Sequence, residues 1–135
     1  MALQYSVAVR NAQLDAFEST VGASALFRIY SGAAPANCAA AATGTLLVEA
    51  TLPSDWMAAA SNGSKALSGT WQDTSANATG TAGYWRIYDS SGTTCHAQGT
   101  VTATGGGGDL TLDNTSIATG QSVTITSFTI SAGNA

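Results

Sequence analysis

The chain has 135 residues, a formal net charge of −4, 44% hydrophobic residues and only 9% charged ones. Its length predicts a single domain over 1–135 that can bury a core without a metal or disulfide staple, and its apolar share excludes a disordered chain. The acidic balance and four scattered cations, Arg10, Arg28, Lys65 and Arg86, argue against a nucleic-acid partner, and no apolar run is long enough to span a membrane.

The opening "MALQYSVAVRNAQ" lacks a basic region followed by an apolar core, so no secretory signal is expected. "SVAVRNAQLDAFESTVG" predicts a helix over 6–21, with Ser6 as N-cap and Gly22 as the stop. Val7, Leu14, Phe17 and Val21 form its apolar stripe, which would turn Arg10, Asp15 and Glu18 away from the core.

Residues 23–135 read as strands and loops. "ALFRIY" alternates as a strand and ends in Ser-Gly; "TLLVEATL" is the next, stopped by "PSD". The linker "GAAPANCAAAATG" between them suits a mobile surface loop. "SDWMAAASNG" fits one helical turn or a loop, and "KALSGTWQ" a strand broken by Gly69. "GYWRIYD" and "TCHAQGTVTA" flank "SSGT" as a hairpin. After the flexible glycines 105–108 come "DLTLDN" and "SVTITSFTISA"; in the last, the apolar alternation slips by one residue between Ile125 and Phe128, the mark of a bulge. Seven or eight short strands at regular spacing predict a mainly β fold: an antiparallel β-sandwich or jelly roll with one N-terminal α-helix.

The phrase Arg-Ile-Tyr occurs twice, at 28–30 and 86–88, and uses two of the three arginines. Strand alternation puts Phe27 and Ile29, and again Trp85 and Ile87, on a core face. Arg28, Tyr30, Tyr84, Arg86 and Tyr88 then share the opposite face, which is the candidate partner-contact surface: tyrosine covers area at low entropy cost and arginine adds planar hydrogen bonding. The competing reading has the tyrosines shielding the sheet, with arginine stacked over them.

Catalytic and metal constellations are not legible. His96 is the single histidine, and Cys95 beside it would point to the other face of a strand. No nucleophile elbow appears, "GGGG" lacks the Lys-Ser/Thr of a phosphate loop, and Asp109 and Asp113 are too sparse for a calcium repeat. An enzyme and a cofactor are therefore not expected. Trp56 and Trp71 read as core more readily than as sugar platforms. Cys38 and Cys95 follow their triplets at similar distances, leaving open a disulfide or two packed thiols.

Four stretches, "RIYSGAAPANC", "DTSANATGTA", "GYWRIYDSSGTTCHAQGTV" and "DLTLDNTSI", with the N-terminal "SVAVRNAQLDAFE", resemble a family of small β-rich structural proteins of tailed bacteriophages, over nearly the whole chain. The resemblance implies a virion component made in the host cytoplasm. Within it, the expected role is a capsid decoration or cement protein on the capsid exterior, contacting the major capsid protein and copies of itself as a homo-oligomer. The low charge suits that role, since a charge near a symmetry axis meets its own image. The alternatives are a host-surface or carbohydrate-binding module on the virion, and a tail or neck component.

Overall fold

The computed structural model describes residues 3–133, so the outermost two residues at each end of the expected domain lie outside it. The protein is mainly β with one helix, α1 (Val7–Val21). Ser6 Oγ accepts from the Val9 amide at 3.2 Å, and Gly22, at φ 92°, closes the helix with its amide donating to Glu18 O, as the caps predict.

Ten strands follow, more and shorter than expected: β1 (Leu26–Ser31), β2 (Leu46–Thr51), β3 (Ser64–Ala66), β4 (Trp71–Asp73), β5 (Gly80–Tyr88), β6 (Cys95–Ala103), β7 (Leu110–Leu112), β8 (Ser116–Ile117), β9 (Val123–Ile125) and β10 (Thr129–Ser131). The main sheet runs β2-β1-β5-β6-β7, with β8 on the end of β5; β10-β3 and β4-β9 are separate two-stranded ribbons. The predicted hairpin is β5–β6, its turn held by Asp89 Oδ1, which accepts from the Thr93 and Thr94 amides and the Ser91 hydroxyl.

Three expectations are corrected. The slip between Ile125 and Phe128 is not a bulge but a strand change: β9 pairs with β4 and β10 with β3. "KALSGTWQ" divides in the same way, β3 and β4 going to different ribbons. The sheet is also not wholly antiparallel, for β7 runs parallel to β6, Val101 opposite Leu110. Only residues 104–109 make that return, far shorter than an ordinary crossover. The glycines allow it: Gly105 and Gly107 have positive φ, and a Cβ on Gly106 or Gly108 would press on Thr102. The loop read as flexible is pinned by Gly108 N–H to Thr102 Oγ1 and by Thr100 N–H to Asp109 Oδ2, both 3.0 Å.

The core lies between the sheet and the ribbons. Phe27, Trp56, Trp71, Trp85 and Phe128 are buried together, Phe27 stacking on Trp85 and Phe128 meeting Trp85 edge-on. Trp71 Nε1 donates to Trp56 O, and Trp56 Nε1 to Gly22 O, which ties the helix exit to the core. Both tryptophans are core, as read.

The helix contradicts its predicted orientation. Val7 is exposed, whereas Arg10, Asn11, Asp15 and Glu18 join Leu14, Phe17 and Val21 on the packed side. The reason is a strand-like segment beside it with unpaired amides. Asn11 Oδ1 accepts from Gly63, Asp15 Oδ1 from Ala60 and Glu18 Oε1 from Met57, at 2.9, 3.0 and 3.1 Å. Side chains of one helix thus fill the place of a neighbouring strand's carbonyls and cover a sheet edge.

Candidate interaction surfaces

The two Arg-Ile-Tyr phrases meet each other. β1 and β5 pair antiparallel with Arg28 opposite Arg86, Tyr30 opposite Tyr84, Phe27 opposite Ile87 and Ile29 opposite Trp85. Two like charges facing across a ladder would repel. They are separated by their outer neighbours: Glu49 on β2 lies opposite Arg28, and Gln98 on β6 opposite Arg86. Glu49–Arg28–Arg86–Gln98 is therefore one row across four strands. Arg28 Nε pairs with Glu49 Oε2 at 2.6 Å and its guanidinium lies 4.6 Å from the Tyr88 ring centroid. Arg86 Nε turns the other way, to Gln98 Oε1 at 3.1 Å.

All five predicted residues share this face, but it is not open to a partner. Tyr30, Tyr84, Arg86 and Tyr88 are buried and Arg28 is half-buried. The cover is the alanine-rich segment 32–44, read as a mobile surface loop, which folds back as a strap. Arg86 Nη2 donates to Asn37 O and Ala40 O at 3.1 and 2.9 Å, Arg86 Nη1 to the Tyr88 hydroxyl, and Gln98 Nε2 to Pro35 O at 2.7 Å. The Tyr84 hydroxyl donates to Thr43 O and accepts from Thr43 N–H, at 2.6 and 2.9 Å. Gly83 must lack a side chain because a Cβ there would strike the backbone of Gly32 at the strap's root. The arginine-over-tyrosine alternative describes Arg28; Arg86 is a buried cation satisfied by backbone carbonyls, an amide and a phenol. Burial, more than any neighbour, pushes the Tyr30 hydroxyl up to about 12.

A second buried cation, Lys65, carries no mark in the residue pattern. Its ammonium meets Asp15 Oδ1 at 2.7 Å, Glu18 Oε2 at 2.9 Å and Ala58 O at 3.0 Å, so all three protons are placed. Burial works to lower its pKa, but the bonds to Asp15 and Glu18 outweigh it and raise the value; the same bond to Lys65, with the Ala60 amide, holds Asp15 below the usual carboxylate range. Arg10 Nη1 donates to Ala132 O. All four cations are thus turned onto the protein itself.

Among the large apolar side chains left exposed, Leu3, Val7 and Val9 sit at or just before the start of α1, with relative exposures of 69, 44 and 42%. A cleft of about 410 Å³ is lined by Trp85, Gln98, Asp109, Phe128 and residues 129–131. The Nε1 of Trp85 is buried without a hydrogen-bond partner. His96 is half-buried in β6, and among the described residues no three His, Cys, Asp or Glu side chains converge as metal ligands. Cys38, on the strap, and Cys95, beneath it, are both free and half-buried. No helix among the described residues is long and apolar enough to cross a membrane. No protein-family model matches the chain, and neither the comparison with curated proteins nor that with solved structures gave a match.

Proposed function

We propose that this chain is a structural protein of a tailed-bacteriophage virion, a decoration or cement protein on the capsid exterior. It bridges subunits of the major capsid protein and neighbouring copies of itself, without catalysis, nucleic acid or membrane. The observation that carries the reading is an exterior rich in hydroxyls and methyls, with every cation turned inward and few carboxylates exposed, Asp55, Asp109 and Asp113 among them. Such a surface meets its own symmetry copies with little repulsion. The resemblance to phage structural proteins supplies the setting. We read the two ribbons facing the sheet as the second layer of a β-sandwich or jelly roll.

Because the Arg/Tyr face lies under the strap, the contact to the shell is assigned to the exposed apolar start of the helix, Leu3, Val7 and Val9. Modest contacts repeated over a lattice give large avidity. The experiment compares particles carrying wild-type protein with particles carrying V7D/V9D, at positions where the fold makes no demand. Occupancy and the temperature of DNA release should both fall, while the isolated variant melts as wild type. Unchanged occupancy removes the helix contact, and equal release temperatures with and without the protein remove cementing.

One observation favours a carbohydrate-binding reading instead. Trp85, whose buried Nε1–H has no protein partner, and Asp109 both line one cleft, the kind of concave site with a few polar groups that a sugar would need. The tryptophans, however, present no open ring: Trp56 and Trp71 are fully buried and Trp85 is 5% exposed. Titration of the isolated protein with oligosaccharides separates the readings, since heat of binding that disappears in W85F would favour the sugar site.

A further inference from the structure

We propose that Cys38 and Cys95 form an intramolecular disulfide that latches the strap over the buried Arg86. The strands and the strap bring the two thiols together. Cys95 stands opposite Tyr88 across the β5–β6 ladder, next to the face that carries Arg86. Arg86 Nη2 grips the strap at Asn37 O and Ala40 O, the carbonyls on either side of Cys38. The Cys95 side chain therefore lies on the strap side of the ladder, where its thiol donates to Ala97 O at 3.4 Å and the nearby Cys38 thiol raises its pKa. The arginine thus holds the Cys38 segment of the strap over the face that carries Cys95.

The oxidant is a small-molecule disulfide. One protein thiolate attacks a sulfur of that disulfide and releases one small thiol; the second protein thiolate then displaces the other. Two protein S–H bonds and one external S–S bond are exchanged for one protein S–S bond and two external S–H bonds, so the protein is oxidised and the reagent reduced. Burial, with the Cys38 contact, pushes the Cys95 thiol up to about 12. Few thiolates are present at neutral pH, so the latch closes slowly there and faster in alkali. A chain kept among reduced thiols stays open, and one released into an oxidising medium closes. This inference stands independently of the virion reading.

The test incubates the folded protein with excess oxidised glutathione, blocks residual thiols, denatures and digests with trypsin without reduction. Trypsin cuts after Arg28, Lys65 and Arg86, so the expected product joins peptides 29–65 and 87–135 within one chain. The intact mass should fall by two hydrogens. The oxidised protein should melt about 10 °C above the reduced protein, because the link closes a long loop of the unfolded chain. C38S and C95S should show neither the link nor the shift; if either fails to fold, reduced wild type serves as the reference. Glutathione adducts on separate cysteines, or links only between chains, would overturn the proposal. A linked protein that melts no higher than the reduced one would overturn the latch.

Discussion

Lys65 and Arg86 are both almost fully buried, yet the protein satisfies them in opposite ways. Lys65 has two carboxylates and one carbonyl around a compact ammonium. Arg86 forms no ion pair among the described residues and relies on two carbonyls, an amide oxygen and a phenol. For both, burial opposes the charge and the hydrogen bonds restore it, leaving each pKa raised. The difference follows from the head groups. An ammonium is strongly hydrated and sheds its proton readily when buried unpaired, so it needs anions. A guanidinium spreads its charge over a rigid fork, so neutral acceptors at the right angles suffice. One joint, between helix and sheet edge, depends on charge; the other, between strap and sheet, depends on shape.

Arg86→Ala should break the shape joint hardest, costing about 4 kcal/mol through a cavity and four stranded acceptors. Denaturant unfolding measures the loss, and hydrogen exchange should rise over 33–43 but not over 57–66. Lys65→Met should cost about 3 kcal/mol by leaving two carboxylates without their cation. Its exchange pattern should be the reverse, with 57–66 opening first. Arg86→Lys sharpens the contrast: it keeps the charge but loses the fork, and should cost about 2 kcal/mol. A wild-type-like lysine variant would mean that charge alone holds the strap.

Acid should act on one joint only. Asp15 titrates below its unfolded value, so its contribution is present above about pH 4 and is lost as pH falls through the lower folded value. Asp89 is depressed as well, by its Ser91 and Thr93 bonds, and has the same sign. Wild type should therefore lose more stability between pH 6 and pH 3 than Lys65→Met does, because the variant keeps Asp89 but lacks the Asp15 pair. Equal losses would remove Lys65 as the cause. The smallest effect is expected for Glu49→Gln, about 0.5 kcal/mol, since that pair is partly in water.

Local rules made much of the fold legible. The Ser6 and Gly22 caps, the β5–β6 hairpin and the alternation around the doubled phrase are written in nearest neighbours, and each was found where it was read. What alternation cannot express is whether a face is covered. The strap is alanine-rich and carries no pattern, and it holds Arg86 with main-chain carbonyls that every residue possesses. The helix misled for a related reason: Arg10, Asp15 and Glu18 read as solvent-facing because their partners are a carbonyl, amides and a lysine 39 to 122 positions away. The slip at Ile125–Phe128 was visible, but a bulge and a change of partner look alike until the other strands are placed.

The pairing of two near-identical phrases about a local two-fold has a consequence for refolding. A segment complementary to its near-copy is also complementary to itself, so β1 of one molecule can align with β1 of another around Arg28. What fixes the native pair is the docking of β2 on the outer edge of β1 and of β6 on the outer edge of β5. At high concentration the yield of monomer should thus depend on how soon β2 and β6 dock.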